Sequence, residues 1–443
     1  MLISFKFSNI LSFAEVSELN LNAGKYTKHS DHVARCFGGH KLLRMSSLYG
    51  ANAAGKSNVV NALEQLRRII TKGTVDRSEI IPVIPFKFNE PNVPVCFDIE
   101  FITSNHVFKY VLKIKESVII EEVLYILDKK EEEFNEVFIR KSNNLKTIEL
   151  TLNDVDDNTE KERLREEIYK DDLRPNQTFL KEGANKYLRN ITEAFTWFNK
   201  YLIIIGAFSR PYNICSFIEK EKNTAIFSQL FKTFESGISD IQVEKKPLEK
   251  YIGFINDNLK NNMIASINQT GFSNISNGKT DIEVIVENGK LYGKRLKTVH
   301  TGKDNKIATF SMDEESDGIR RLFDIMPFFY LLCQGDYTIV VDELERSIHP
   351  ILLINLLEYF NSKSFENKGQ LIFTTHESIL LDLNYFRQDE IWFVEKDNHG
   401  CSHLYSLSDF KPRYDKDIRK SYLQGKFGAI PITGKPLFLE DDK

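Results

Sequence analysis

Eight consecutive residues carry the strongest chemical pattern in the sequence. Residues 50–57 read Gly-Ala-Asn-Ala-Ala-Gly-Lys-Ser and fill every fixed position of the pattern GxxxxGK[ST]. The two glycines let successive backbone N–H groups face an anion, Lys56 can reach the β- and γ-phosphates of a nucleotide, and the Ser57 hydroxyl can ligate Mg²⁺. We therefore assign nucleotide binding to the following residues: Gly50, Ala51, Asn52, Ala53, Ala54, Gly55, Lys56, Ser57 and Asn58.

The segments on either side of this loop have the patterns that a phosphate-binding loop requires. Residues 42–49 predict a short buried strand, and apolar residues recur at helical spacing over 58–70. The N-terminus of that helix would direct its positive dipole at the same anion. A glycine turn with an incidental Lys-Ser pair is the alternative, and the strand–loop–helix order disfavours it.

A pair of carboxylates follows a second predicted strand. Residues 337–341 form a buried-strand pattern that ends at Asp342 and Glu343. Asp342 is placed to hold Mg²⁺, directly or through water, and Glu343 is placed to act as general base toward the attacking water. Apolar residues followed by Asp-Glu are common at strand ends when taken alone. Downstream of a complete phosphate loop, they indicate the second half of a nucleotide-hydrolysing site.

Two weaker motifs complete the series. Residues 371–375 predict a buried strand that ends at His376, whose imidazole could contact the γ-phosphate and hold the catalytic water. Ser316 and Gly318 lie just before an amphipathic helix, where a helix N-terminus can bind an anion. A satisfied core histidine and a plain helix cap are the more frequent explanations of each motif alone. The order of the four motifs along the chain favours a single site.

Composition limits the class of protein. The chain has 443 residues, of which 42% are hydrophobic, enough for one core with an added lobe. Its formal net charge is -4, so no global field attracts nucleic acid. Five cysteines without a CxxC pair suit reduced thiols in the cytoplasm. No apolar stretch reaches the length that spans a bilayer, so we expect a cytoplasmic protein without a membrane partner.

The pattern of elements predicts three regions. Residues 1–150 form an N-terminal ATPase lobe, with the P-loop and an antiparallel β-subdomain that includes a strand over 83–88. Residues 151–262 form a helical insertion, with helices over 160–170 and 184–201. Residues 263–443 form a C-terminal ATPase lobe with the Ser-x-Gly motif, the Asp-Glu pair and the histidine. No run of heptads predicts long coiled-coil arms.

The motif order resembles that of ABC-type ATPases of the RecF/SMC/Rad50 branch. Residues 342–350, Asp-Glu-Leu-Glu-Arg-Ser-Ile-His-Pro, are similar to the Walker B motif and D-loop of that branch. More narrowly, residues 7–13, 85–88 and 422–431 resemble the compact AAA_15/AAA_21 ATP-binding protein families of bacteria. The resemblance covers both ends of the chain. It implies an α/β fold: a P-loop NTPase of ABC type, whose mixed-sheet core carries an antiparallel β-subdomain and a helical insertion.

The resemblance also implies cofactors and partners. ATP and Mg²⁺ would be the cofactors, and the chain would be a homo-oligomer in which Ser316 and Gly318 of one subunit close over ATP held by the P-loop of another. The signature is Glu-Ser-Asp-Gly where transporters have Leu-Ser-Gly-Gly, and no convincing Q-loop glutamine follows the P-loop helix. Several proteins of this group, as in PARIS and Septu systems and abortive-infection proteins, are phage-defence ATPases that work with a separate nuclease or toxin. The resemblance further implies slow hydrolysis.

Two functions therefore compete. The first is a switch ATPase of an anti-phage defence system, which holds or licenses a separate effector; the second is a DNA-repair ATPase that clamps DNA. A clamp needs a basic groove, and two sets of residues are candidates for it. The first set is Lys290, Lys294, Arg295 and Lys297, and the second is Lys411, Arg413, Lys416, Arg419, Lys420 and Lys426. Solvent-exposed side chains on strand and helix faces explain both sets equally well. A nuclease domain after residue 376 has too little room, and a transporter subunit does not suit the insertions.

One loop holds residues of metal-ligating types. His29, His32, Cys36 and His40 lie between residues 24 and 40. Their spacing fits no standard zinc motif, so a loop beside the nucleotide is the favoured interpretation and a metal site the minor one.

Overall fold

The computed structural model describes residues 1–128, 131–144, 147–153, 163, 173–209, 214–220, 223–233, 237–253, 256–270, 273–276, 281–361 and 369–431. The chain divides into two compact units. The first comprises Met1–Ala207, Leu331–Glu345 and Leu356–Lys443, and the second comprises Phe208–Tyr330 and Arg346–Asn355. The region boundaries predicted after residues 150 and 262 remain a prediction. Apart from residue 163, the predicted helix over 160–170 lies outside the described residues.

The strands and helices are numbered here in chain order. The strands are β1 (Leu2–Ser8), β2 (Ser17–Asn20), β3 (Val33–Arg35), β4 (Lys41–Leu43), β5 (Met45–Tyr49), β6 (Val95–Ile102), β7 (Val107–Lys115), β8 (Val118–Leu127), β9 (Phe134–Asn144), β10 (Thr147–Leu152), β11 (Leu202–Ile205), β12 (Ile238–Pro247), β13 (Ser273–Ser276), β14 (Asp281–Glu287), β15 (Lys290–Thr301), β16 (Ile307–Ser311), β17 (Thr338–Val341), β18 (Gln370–Thr374), β19 (Ile391–Lys396) and β20 (Ser402–Ser406). The helices are α1 (Lys56–Thr71), α2 (Phe179–Asn185), α3 (Arg189–Thr196), α4 (Ile214–Glu219), α5 (Asn223–Thr233), α6 (Glu249–Ile252), α7 (Asp257–Thr270), α8 (Asp317–Gln334), α9 (Pro350–Asn361) and α10 (Ile418–Leu423).

A mostly parallel sheet in the first unit carries the predicted motifs. Within the described residues it has six strands, in the order β11-β17-β18-β5-β19-β20, of which only β20 is antiparallel to its neighbour. Every residue of β5, β17 and β18 is buried, as expected of strands covered on both faces. Thr374 pairs with Leu48, and Val341 pairs with Phe373. The carboxyl ends of β5, β17 and β18 therefore meet at one edge, where open α/β sheets bind ligands.

An antiparallel sheet packs on the helix that follows the phosphate loop. Its order in the described part of the chain is β10-β9-β8-β7-β6-β1-β2, with antiparallel pairing throughout. Alternate residues of β6 and β7 are buried, which is the period of a strand with one face on a core. Val60 and Leu66 of α1 share one buried core with Phe5 and Phe97 of this sheet. The antiparallel sheet thus fixes α1, and α1 fixes the loop before it.

The second unit has an antiparallel sheet of its own. In its described residues the order is β12-β15-β14-β13, and β16 pairs with the far half of β15. A small apolar core includes Leu248, Met263, Ile267, Ile282, Val284 and Leu291. The mixed α/β architecture with a separate antiparallel sheet confirms the predicted fold class.

The single helix predicted over 184–201 is wrong. α2 ends at Asn185, α3 begins at Arg189, and a π-helical turn follows over Trp197–Tyr201. Tyr187, between the two helices, has φ 60° and is 87% exposed. The backbone N–H groups of Tyr187 and Leu188 donate to carbonyls of α2, a pattern that closes a helix at its C-terminus.

The strand predicted over 83–88 is also wrong. None of the residues from 80 to 94, all of them described, is assigned to a strand. Pro82 and Pro85 have no N–H to give to a sheet, and Ile84 and Phe88 are exposed. The two prolines thus override the alternation that suggested a strand.

Candidate nucleotide-binding site

The phosphate loop turns between β5 and α1 through positions where glycine is required. Gly55 is the N-cap of α1 and has φ 118°, a conformation that strains other residues. A Cβ on Gly55 would lie 2.5 Å from Ser402 Oγ, and a Cβ on Gly50 would collide with the Val394 carbonyl oxygen. The loop therefore lies directly on β19 and β20, with its backbone N–H groups leading into the N-terminus of α1.

Lys56 lies inside this loop. Its side chain is buried, and Nζ donates to Gly50 O at 2.7 Å and to Ala51 O at 3.1 Å. Burial lowers the pKa of Lys56 to about 8, although the carboxylates of Glu345, Asp342 and Glu343 oppose the shift. The ammonium is thus surrounded by acceptors, in a place where a triphosphate would favour its charged form.

Ser57 and Asp342 come together from distant parts of the sequence. Ser57 Oγ donates to Asp342 Oδ1 at 3.1 Å, and Thr374 Oγ1 donates to the same oxygen at 2.6 Å. Asp342 is 8% exposed and follows β17 directly. A hydroxyl and a carboxylate are the hard oxygen donors that Mg²⁺ prefers, so the two side chains fit the predicted metal site.

Glu343 takes a constrained position beside Asp342. Its φ is 50°, which is uncommon for a residue with a side chain, and its N–H donates to Thr374 Oγ1 at 2.8 Å. Thr374 thereby holds both acidic residues, one through each of its hydrogen bonds. Strained backbone of this kind persists where the surroundings fix it, as they do at many functional sites.

His376 lies at the same edge, opposite the phosphate loop. Its Nδ1 is 3.3 Å from Lys56 Nζ, and its backbone N–H donates to Glu345 Oε1 at 2.6 Å. Partial burial, together with the charge of Lys56, lowers the pKa of His376. The imidazole is therefore neutral at physiological pH, with Nδ1 as the acceptor of the lysine proton.

The structure adds residues that the sequence did not suggest. Glu345 has one carboxylate oxygen, Oε2, that is buried without a hydrogen-bond partner, a sign that the site is built for a further donor. Ser12 and Ser402 support the loop from behind: Ser402 Oγ donates to Ala54 O at 2.6 Å, and Asn58 Nδ2 donates to Ser12 Oγ at 2.8 Å. These contacts join segments far apart in the chain, and no local pattern reveals them.

The Ser-x-Gly motif belongs to the second unit. Ser316 Oγ accepts from the Ile319 N–H at 3.3 Å, at the start of α8. A Cβ on Gly318 would lie 2.8 Å from Ser347 O, so the helix start packs against the backbone of the D-loop segment. Glu315, next to the motif, accepts from His300 Nε2 at 2.7 Å. Within this unit, the motif is a capped and anchored helix N-terminus.

The two candidate basic groups differ in their surroundings. Lys294 is buried against Glu219, Lys297 lies 3.1 Å from Glu244, and Arg295 stacks on the Tyr251 ring at 4.5 Å. The charges of Lys294 and Lys297 are thus compensated by carboxylates, which weakens the first group as a nucleic-acid surface. The second group is exposed throughout: Lys411, Arg413, Lys416, Arg419, Lys420 and Lys426.

Comparison with known proteins identifies the family. Residues 45–163 and 208–382 match AAA_21, described as "AAA domain, putative AbiEii toxin, Type IV TA system". The match covers more than half of the chain, so the protein belongs to this family of AAA ATPase domains. It includes the phosphate loop, both acidic residues and the histidine, and it confirms the resemblance to AAA_21 proteins.

Similar solved structures include two SMC heads. One is the SmcHead bound to the C-winged helix domain of ScpA, with 13% identity, 93% of this chain and 99% of that chain covered, and a TM-score of 0.42. The other is the SMC head domain from Thermotoga maritima, with 13% identity, 91% and 98% covered, and a TM-score of 0.35. A sequence comparison with curated proteins gives no significant match. Among the described residues, no helix combines the length and apolar character that crossing a membrane requires.

Proposed function

We propose that the chain binds and hydrolyses ATP with Mg²⁺ and uses the nucleotide as a switch. The observation that carries the proposal is the convergence of Lys56, Ser57, Asp342, Glu343 and His376 at the carboxyl edge of one parallel sheet. Family membership supports the same activity. No other cluster in the described residues combines a phosphate loop with paired carboxylates.

Each residue has a distinct task in this proposal. The loop N–H groups and Lys56 bind the β- and γ-phosphates, with Asn52 and Asn58 at the loop and the first turn of α1. Ser57 and Asp342 hold Mg²⁺, which neutralises phosphate charge when bound. Glu343 orients the attacking water and takes its proton, and His376 holds that water near the γ-phosphate.

We further propose that two copies complete each site. Ser316 and Gly318 of one copy would close over ATP bound by the phosphate loop of another, so ATP joins the copies and hydrolysis releases them. The support is the N-terminal end of α8, where Ser316 and Gly318 begin a helix that is able to bind an anion. The resulting homo-oligomer would hold or license a separate nuclease or toxin in an anti-phage defence system of the cytoplasm. The family description, which names a toxin of a type IV toxin–antitoxin system, supports a defence role. The five cysteines are all free thiols, which suits the reducing cytoplasm.

A matched pair of variants tests the ATPase. Lys56→Ala should abolish ATP binding, and Glu343→Gln should retain binding while turnover falls by about 10²–10⁴-fold, the contribution of a general base. ATP should convert the Glu343→Gln protein to a larger species by light scattering. Normal turnover by Glu343→Gln would reject the assigned base.

The effector is tested in cells. The chain should protect bacteria from phage only together with the product of a neighbouring reading frame, and Lys56→Ala should remove that protection.

The second candidate, a DNA-repair clamp, is favoured by the exposed basic residues of 411–426. Two results together would support the clamp instead. The purified chain would bind DNA ends in a salt-sensitive way that a Lys416→Glu/Arg419→Glu variant loses, and the chain would not protect bacteria from phage.

A further inference from the structure

A histidine-rich turn lies away from the phosphate loop, in the first unit. The residues Ser30–His32 form one 3₁₀ turn, preceded by His29. One ligand atom from each of His29, Asp31 and His32 lies within 4.8 Å of the other two. Cys36 and His40, the other residues considered from the sequence, are not members of this group. The structure therefore keeps two of the four candidates from the sequence, His29 and His32, and adds Asp31.

The hydrogen bonds of the two imidazoles leave one nitrogen of each available. His29 Nε2 lies 3.0 Å from Leu383 O, and because a carbonyl can only accept, this nitrogen carries the proton and Nδ1 keeps its lone pair. His32 Nδ1 lies 3.0 Å from both carboxylate oxygens of Glu390, which leaves Nε2 as the lone-pair nitrogen. An imidazole fixed by an acceptor on its second nitrogen is the usual arrangement of a metal-ligating histidine.

The surroundings hold this turn in place. Glu390 and His32 are both buried, and the rings of His29 and His32 stack with centroids 4.8 Å apart. His29 has φ 53°, a left-handed conformation that is uncommon for a residue with a side chain. Arg387, also buried, donates to the carbonyls of Gly24 and Lys28 in the preceding loop. The turn is thus fixed by side chains before any ligand arrives.

We propose that His29 Nδ1, Asp31 and His32 Nε2 bind one divalent transition-metal ion, with Zn²⁺ as the expected metal. Two neutral imidazoles and one carboxylate form a borderline donor set that suits Zn²⁺ and is poor for Mg²⁺ or Ca²⁺. One ligand atom of each of the three residues already lies within 4.8 Å of the other two, and Zn²⁺ takes nitrogen and oxygen ligands at about 2.0–2.2 Å. Three protein ligands leave a fourth position for water.

The metal site would stabilise the N-terminal end of β5, the strand that leads into the phosphate loop. The Arg44 N–H, immediately before β5, donates to His32 O at 2.8 Å. The Glu390 carbonyl accepts from the Ser46 and Ser47 hydroxyls of β5 at 3.4 and 3.3 Å. A metal that fixes His32 against Glu390 therefore fixes the strand that leads into the nucleotide site, without touching the nucleotide.

Zinc binding by the full-length purified chain tests the proposal. After treatment with chelator, the protein should take up one Zn²⁺ per chain by calorimetry with Zn²⁺ alone, and its melting temperature should rise. Asp31→Asn changes one atom of a half-buried side chain, so the variant should fold. Its affinity for Zn²⁺ should fall by more than the roughly 10–100-fold that is lost when a residue hydrogen-bonded to a metal ligand is removed. His29→Ala should do the same.

Two matched controls separate this site from other histidines. His40→Ala, from the same loop, should bind Zn²⁺ as the unaltered chain does. His403→Ala removes a member of a second group, Asp397, Cys401 and His403, and should also leave binding unchanged. Absence of stoichiometric Zn²⁺ uptake, loss of uptake in His403→Ala alone, or competition by millimolar Mg²⁺ would each overturn the proposal.

Discussion

ATP binding should weaken as the pH rises above 8, because the free protein then loses the proton of Lys56. The side chain is 5% exposed, and burial lowers its pKa to about 8. A bound triphosphate would place negative charge beside Nζ and raise the pKa again. Binding above pH 8 must therefore take up a proton.

The magnitude follows from this difference in pKa. Below pH 8, Lys56 is charged in both the free and the bound protein, so the affinity is constant. Above pH 8, only the bound protein retains the charge, and the affinity falls by about tenfold per pH unit. The pKa of Lys56 is about 8 in the free protein, and with ATP bound it should be near or above the ordinary lysine value. The affinity for ATP should therefore fall by about 25-fold from pH 7.5 to pH 9.5.

Calorimetry measures both consequences. Titrations of Mg²⁺ and ATP in two buffers of different ionisation enthalpy should show an uptake of about 0.9 proton per ATP at pH 9, and almost none at pH 7. Lys56→Arg is the matched control, since guanidinium keeps its charge over this range and the pH dependence should disappear. An affinity that is constant from pH 7.5 to 9.5, without proton uptake, would refute the assigned environment of Lys56.

Two further predictions follow from buried contacts in the first unit. Thr374→Val removes the hydroxyl that donates to Asp342 and accepts from the Glu343 N–H. The Mg²⁺ concentration needed for ATP binding should therefore rise by about 10–100-fold. An unchanged Mg²⁺ requirement would contradict this role of Thr374. Arg140→Met leaves Glu122 fully buried without its ion pair and leaves the Gln177 and Arg174 carbonyls without their guanidinium donor. It should lower the free energy of unfolding by about 3–5 kcal/mol in urea titrations, and a loss below about 1 kcal/mol would mean that the pair is not needed.

The parts of the fold that the sequence predicts are those with local chemical signatures. The phosphate loop requires glycine at Gly55 because of its positive φ, and buried parallel strands require apolar runs such as those before Asp342 and His376. Such requirements appear in short windows of sequence. They also place Lys56 and the acidic pair at one edge, since carboxyl ends of parallel strands meet there.

The parts that the sequence does not predict depend on contacts between distant residues. Ser402 and Ser12 support the phosphate loop through a hydrogen bond across 390 positions, and a serine in either place has no distinguishing pattern. The break at Tyr187 has no local signal, because its neighbours keep helical spacing. The contact that accompanies it is between residues on the two helices: a Cβ on Gly183 would lie 2.9 Å from the Ile191 side chain. Tertiary packing overrides the helical periodicity at Tyr187.

The claim that two copies complete one ATP site is tested most directly by mixing two inactive variants. Lys56→Ala should lack ATP binding, and Ser316→Arg should bind ATP but neither assemble nor hydrolyse it. A 1:1 mixture should regain up to roughly half of the unaltered turnover, because neither variant assembles with itself and each mixed dimer would contain one intact site out of two. Full turnover by Ser316→Arg alone, or a mixture that forms mixed dimers and stays inactive, would contradict the claim.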